Sequence, residues 1–182
     1  VRIISGNLKG RKLRPPQNLS LRPTTGFAKE GLFNHLNHQI DFRDLDVLDL
    51  CCGTGSISFE FASRGVKSVL CVDLNTNCLK YIKKQAAEFE LTNIFPYKSD
   101  LFQFLKKFNR QFDLVFADPP YEMEGVKTIP ELVLSRKLLK ENGLLILEHG
   151  KDINFKAEKN LLNSRKYGNV NFTFFKAQWV KC

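Results

Sequence analysis

The feature that most constrains this chain begins after Asp44. Short apolar runs alternate there with segments of helical periodicity. The runs are Val47-Leu48-Asp49-Leu50, Val69-Leu70-Cys71-Val72, Ile94–Tyr97, Phe112–Ala117 and Leu144–Leu147. Between them, apolar residues recur every three or four positions, as in Leu79, Ile82, Ala86 and Phe89 behind a capping Asn75, or Leu101, Phe104, Leu105 and Phe108. Further helices are expected from Thr25 to about Ile40, from the loop after Leu50 to about Ser63, and over 126–140, with Gly143 leading into the next strand. Strands that are apolar on both faces and alternate with helices predict a doubly wound α/β fold with a mostly parallel sheet. Two closing strands at 165–169 and 172–180, joined through Gly168-Asn169, bring the sheet to seven strands. Ligands of such sheets bind beyond the carboxyl ends of the strands, near the point where strand order reverses. That rule selects residues 49–56, 73–75, 99–101 and 118–121, and an Asp stands in each cluster.

A chain of 182 residues is expected to form one such domain, here 26–182, with a small extension at 1–25. Residues 1–21 read as strand, turn and strand, the turn supplied by Gly6, Asn7 and Gly10 and the exit by Pro15-Pro16. The charge is concentrated in this arm. The chain holds 28 Lys and Arg against 19 Asp and Glu, a net +9. Arg2, Lys9, Arg11, Lys12, Arg14, Arg22 and Lys29 all precede the first acidic residue, so +7 falls on residues 1–29 and +2 on the rest. A basic arm on a nearly neutral body is the layout of a polyanion binder. A 43% hydrophobic fraction excludes global disorder. No apolar run is long enough for a membrane span, and the first residues have no signal-peptide core, so a cytoplasmic location is expected. The five cysteines show no C-x-x-C spacing, and His35 and His38 have no third partner, so neither disulfides nor a metal is expected.

Asp49-Leu50-Cys51-Cys52-Gly53-Thr54-Gly55-Ser56 joins a strand to a helix. Its glycines let a ligand approach the backbone, and the helix N-terminus offers unpaired N–H groups. Asp73, twenty residues after Gly53, stands where a ribose diol would be bound. Together they point to an adenosine-type cofactor. The loop geometry suits either a nicotinamide dinucleotide or S-adenosylmethionine. Asp49 favours the second, since a carboxylate attracts a sulfonium and an ammonium and repels a diphosphate. Asp100 either accepts from an adenine amine or caps the next helix. Cys51 and Cys52 lie inside the loop, where a small side chain is the simpler explanation than thiol catalysis.

Asp118-Pro119-Pro120-Tyr121 is the most specific motif. Two prolines after a buried strand build a rigid corner that fixes the Asp118 carboxylate and the Pro119 carbonyl. Two fixed acceptors suit an exocyclic NH2 on a planar heterocycle, orienting its lone pair for in-line methyl displacement. Tyr121 offers the stacking face for a base that has left its own stack.

These motifs resemble the class I S-adenosylmethionine-dependent methyltransferases that act on amino groups. The segments Arg2-Ile3-Ile4-Ser5-Gly6, Gly10-Arg11-Lys12-Leu13, Arg22-Pro23-Thr24-Thr25, Lys29-Glu30 and Leu32-Phe33-Asn34 narrow the resemblance to the RsmD family of 16S rRNA guanine-N2 methyltransferases. The resemblance implies a Rossmann-like sheet, S-adenosylmethionine as donor with S-adenosylhomocysteine as product, and a guanine of small-subunit rRNA as substrate, free or in a ribosomal particle. It implies that Asp49, Gly53 and Gly55 line the methionine end, that Asp73 holds the ribose and that Asp100 lies near the adenine, with Cys51, Thr54, Leu74 and Leu101 also binding the cofactor. Asp118, Pro119, Pro120 and Tyr121 would hold the guanine. Arg2, Lys9, Arg11, Lys12, Arg14, Arg22 and Thr24 would contact RNA, and a monomer is the default expectation. The chain has Gly26 where the family usually has Asp, Phe27 where Arg is frequent, and Asp100 where many members have Asn, so no role is carried to residues 26–27. Adenine N6, cytosine N4 or a protein glutamine would answer to the same catalytic motif. A nicotinamide oxidoreductase and a non-enzymatic RNA-binding module are the readings from other classes.

Overall fold

The structure is a computed structural model that describes residues 1–17, 19, 25–156 and 158–178. Its elements are α1 (Gly26–Asn37), β1 (Asp46–Leu50), α2 (Ser56–Ser63), β2 (Ser68–Asp73), α3 (Thr76–Glu88), β3 (Ile94–Lys98), α4 (Leu101–Lys107), β4 (Phe112–Ala117), α5 (Ile129–Ser135), β5 (Leu139–His149), β6 (Leu161–Tyr167) and β7 (Val170–Lys176). The seven strands lie in the order β3-β2-β1-β4-β5-β7-β6. The first five are parallel, and β7 runs antiparallel to both β5 and β6. This is the doubly wound α/β sheet that the alternation predicts. The order reverses between β1 and β4, which opens the crevice there.

Each face of the sheet carries its own core. One gathers Leu32, Phe33 and Leu36 of α1, Phe59 and Phe61 of α2, and Leu79 and Ile82 of α3. The other gathers Leu101, Phe104 and Leu105 of α4 with Ile129 and Val133 of α5. Helix starts follow the capping rules. Thr25 accepts from the Ala28 N–H at 3.2 Å, Asn75 from Asn77 at 2.9 Å, and Asp100 from Gln103 at 3.0 Å.

Three expectations are corrected. The helix predicted over 126–140 is a single 3-10 turn, Val126–Thr128, followed by the short α5. Pro130 starts α5, and Lys137 at φ 52° ends it, with its N–H and that of Leu138 donating back to Leu134 and Val133. Chain that reads as helix thus belongs to β5, which opens at Leu139. Gly143 lies inside this strand, where residues 140–143 bulge out between the Phe112–Leu139 and Leu114–Leu144 pairs. The closing strands are Leu161–Tyr167 and Val170–Lys176, both starting earlier than expected, with Gly168-Asn169 as the two-residue turn that joins them, while positions 179–180 of the second expected strand lie outside the described residues. Helix α1 stops at Asn37, and Ile40 packs from the turn that follows it.

The N-terminal arm forms the expected hairpin, in shortened form. Its strand pair is short and antiparallel: Arg2 bridges Lys12, Ile3 donates to the Arg11 carbonyl at 2.9 Å, Gly10 to the Ile3 carbonyl at 2.9 Å, and Leu13 to the Val1 carbonyl at 2.8 Å. In the turn between them, the N–H groups of residues 4, 5, 7 and 8 go to α2. Ile4 and Ser5 donate to the two carboxylate oxygens of Glu60 at 2.8 and 3.1 Å, and Asn7 and Leu8 donate to the Ser63 carbonyl and hydroxyl at 2.8 and 2.9 Å. Gly6, at φ 82°, lies so close that a Cβ would sit 1.8 Å from the Ser63 carbonyl oxygen. Ile3 and Leu13 are buried in the α1–α3 core.

Candidate active site

The crevice beyond the carboxyl ends of β1, β2 and β4 is a cavity of about 610 Å³. The rung formed when the Asp118 N–H donates to the Leu50 carbonyl, at 3.2 Å, carries the β1–β4 pairing one step past the strands and seats the Asp118-Pro119-Pro120-Tyr121 corner against the glycine loop. Asp49, Cys51, Gly53, Thr54, Asp73, Leu74, Asp100, Leu101 and all four residues of the corner line this one space. Gly55 does not face it. At φ 77° it forms the N-cap of α2, and its missing Cβ makes room for Ile82 of α3, which would stand 3.0 Å away.

The glycine loop is held from both sides. Cys51 adopts φ 58° and Gly53 φ 53°, left-handed conformations that turn the chain sharply out of β1. Asp73 fixes the loop from β2, where one carboxylate oxygen accepts the Gly53 N–H and the other accepts the Asn75 N–H, both at 2.8 Å. These bonds set the orientation of the Asp73 carboxylate, and each oxygen keeps a second lone pair. Burial and the carboxylates of Asp73 and Asp118 push the Cys51 thiol far up, and burial does the same to Cys52. Neither is a thiolate at neutral pH, which removes nucleophilic sulfur chemistry.

Asp49 is buried and receives a short hydrogen bond from the Ser58 hydroxyl. Burial pushes its pKa up to about 7, against the pull of Ser58, and the nearby Asp73 charge adds to the rise. The expected attraction for a cation is therefore a poised one, since a positive ligand draws the proton off. Asp100 caps α4 and also lines the cavity, so the two roles weighed for it are compatible.

The sequence reading missed Glu148. It ends the apolar part of β5, is buried, and accepts the Tyr121 hydroxyl at 3.2 Å, while Gly150 lies 3.6 Å from the Tyr121 ring by its absent Cβ. A carboxylate closing a buried strand was its legible signal, the same one that marks Asp49, Asp73 and Asp118. Counted over the described lining, the cavity holds six acidic residues (Asp49, Asp73, Asp100, Asp118, Glu122 and Glu148) and no Lys, Arg or His. That lining suits a cationic ligand with a neutral partner and repels a diphosphate. No group of three or more His, Cys, Asp or Glu suited to a metal ion occurs among the described residues, and no described helix is long and apolar enough to cross a membrane.

Arg2, Lys9, Arg11, Lys12 and Arg14 are all exposed on the arm. Arg22 and Thr24 lie outside the described residues. Lys29, counted with the arm charge, is not available to a polyanion. It is buried, donates to the Arg2 carbonyl at 2.8 Å and pairs with Glu60 at 3.4 Å.

Known proteins share this sequence and fold. The chain is 33% identical over 181 residues to the ribosomal RNA small subunit methyltransferase D of Haemophilus influenzae, covering 96% of this chain and 93% of that one. A solved hypothetical protein of Thermus thermophilus superposes with a TM-score of 0.85 at 26% identity, over 97% of this chain and 99% of that one. The 16S rRNA N2 methyltransferase RsmC of T. thermophilus, solved with AdoMet and guanosine, shares the fold, with a TM-score of 0.70 at 18% identity over 87% of this chain and 45% of that one. The family described as conserved hypothetical protein 95 matches residues 1–176, and the chain belongs to it, the family of the small-subunit rRNA methyltransferases D.

Proposed function

We propose that this protein transfers a methyl group from S-adenosylmethionine to the exocyclic N2 amine of a guanine in small-subunit rRNA. The observation that carries the reading is the shared cavity, in which an acid-lined glycine loop and the Asp118–Tyr121 corner meet with no described cationic side chain between them. When bound, S-adenosylmethionine supplies a methyl group on a cationic sulfur, transferable to an amine lone pair with S-adenosylhomocysteine as product. The protein's part is placement. Asp73, pre-oriented by two backbone N–H groups, accepts from the ribose hydroxyls. Asp49 loses its proton as the ligand's positive charge arrives. Asp118 and the Pro119 carbonyl accept the two N–H bonds of the guanine amine and aim its lone pair, while Tyr121, tied to Glu148, stacks on the ring. The proton lost from nitrogen after transfer passes to Asp118 or to water. The exposed basic arm holds RNA phosphates. The rRNA methyltransferases D among the relatives support an rRNA substrate, and with it a cytoplasmic site of action.

The test is transfer of tritiated methyl to naked rRNA, small-subunit particles, DNA and protein in parallel, followed by nucleoside analysis. N2-methylguanosine from either RNA substrate is the expected product. Label on adenine, cytosine or protein would overturn the guanine assignment. Asp118→Ala should keep S-adenosylmethionine affinity and lose most transfer, and an active variant would remove Asp118 from the chemistry.

A further inference from the structure

Phe27 is 68% exposed, more than any other large hydrophobic side chain among the described residues. It stands on a built support. Its ring meets that of Tyr167 edge-on, with centroids 6.2 Å apart. The Tyr167 hydroxyl in turn donates to the Gly31 carbonyl at 3.0 Å. Gly31 sits in mid-helix, where it costs about 1 kcal/mol relative to Ala. The reason is contact, because a Cβ there would lie 2.2 Å from the Tyr167 ring. Gly31 thus admits Tyr167 to the side of α1, and Tyr167 backs Phe27.

This pedestal adjoins the cavity. Thr25, two residues before Phe27, lines the cavity, as does Val170, the cross-strand partner of Tyr167. Arg165 shares a strand face with Tyr167 and is close enough to His35 of α1 to disfavour its protonation alongside burial. Arg165 and Lys166 are both exposed. An outward aromatic ring beside a base-binding cavity, with cations on the adjoining strand, matches what a single-stranded nucleic acid requires, a stacking face and a phosphate partner. Glu30, one residue past the buried Lys29, is the acidic group nearest in sequence, so the helix itself contributes no excess of positive charge.

We propose that Phe27, backed by Tyr167, is the stacking platform for the nucleobase next to the target guanine, with Arg165 holding a phosphate of the same strand. This surface is separate from the basic arm and rests on the rRNA reading above. Its role is to position the strand, so it should act on RNA affinity and leave the cofactor end alone.

The experiment compares wild type, Phe27→Ala, Phe27→Leu and Phe27→Tyr in steady-state methylation of naked 16S rRNA and of small-subunit particles. S-adenosylmethionine affinity and Tm are measured for each variant. Phe27→Ala should raise KM for RNA by about 5- to 150-fold, the loss of one base–aromatic stack, with cofactor affinity and Tm unchanged. Phe27→Tyr should restore the wild-type KM and Phe27→Leu should not. An unchanged KM in Phe27→Ala, rescue by Leu, or a KM change accompanied by weaker cofactor binding or a lower Tm would overturn the platform. No transfer to either RNA by the wild type would refute the rRNA function itself, and the platform with it.

Discussion

Glu60→Gln is the sharpest perturbation the fold offers, because one buried carboxylate joins the arm, α1 and α2. Its two oxygens accept the Ile4 and Ser5 N–H groups, while Lys29 approaches to 3.4 Å and Arg64 to 2.9 Å. Glu60 and Lys29 are both essentially inaccessible to water, and Arg64 is nearly so. The amide replaces one acceptor oxygen with an NH2 that must face another donor, either the Ile4 N–H or the Ser5 N–H. It also leaves Lys29 and Arg64 without the charge that compensates them. Breaking a buried pair from one side costs about 3–5 kcal/mol. Urea denaturation at pH 7 should report a loss in that range. The loss should shrink as pH rises. Burial already holds the Lys29 pKa below its ordinary value against the pull of Glu60, and removing Glu60 lowers it further. Above that new pKa, Lys29 is neutral in the folded protein and the penalty falls. Hydrogen exchange should show the Ile4, Ser5, Asn7 and Leu8 amides losing protection before the sheet does. A loss below about 1 kcal/mol at pH 7, or a loss with the arm amides still protected, would refute the claim that Glu60 anchors the arm.

Two further outcomes follow from the site and the arm. The Asp49 pKa is raised from 3.8 to about 7 in the folded protein, so the stability contributed by its protonated form is fully present below about pH 4 and is lost as pH rises through 7. S-adenosylmethionine affinity should therefore rise with pH up to about 7 and then level off. Calorimetry in buffers of different ionisation enthalpy should detect a proton released on binding below pH 7, and Asp49→Asn should abolish that release. For the arm, Arg11→Ala with Lys12→Ala should weaken RNA binding and lower the slope of log affinity against log salt by about 0.7–0.9 for each phosphate no longer neutralised. An unchanged slope would make these two cations bystanders.

The sheet was legible because its information is local. Each parallel strand is a short apolar run that needs no partner to be recognised, and an Asp at or beside the ends of the first four marks the ligand side. The corner at Asp118–Tyr121 and the loop at Cys51–Gly55 could be placed for the same reason. What sequence reasoning missed depends on contacts far apart in the chain. The arm reads as a hairpin because Gly6 and Gly10 are turn residues, and it forms one, but nothing local shows that Glu60, more than fifty positions away, takes the Ile4 and Ser5 donors. Lys29 counts toward a basic arm by position and is buried by the same carboxylate. At 126–140 the apolar spacing fits a helix, and the left-handed Lys137 that ends α5 gives no warning in composition. Gly31 is the opposite case, since a glycine in a helix signals close contact and Tyr167 is what fills the space.

Helix α2 is eight residues and so about 12 Å long. The cofactor-side loop enters at its first residue, and the arm is fastened to Glu60 and Ser63 in its last turn. Every one of its residues is buried, so the helix has no freedom to pivot. The arm is therefore a ruler rather than a tether. In the proposed reaction, an RNA phosphate gripped by the arm lies at a set span from the methyl donor. Under that reading, distance from the grip would set which guanine reacts.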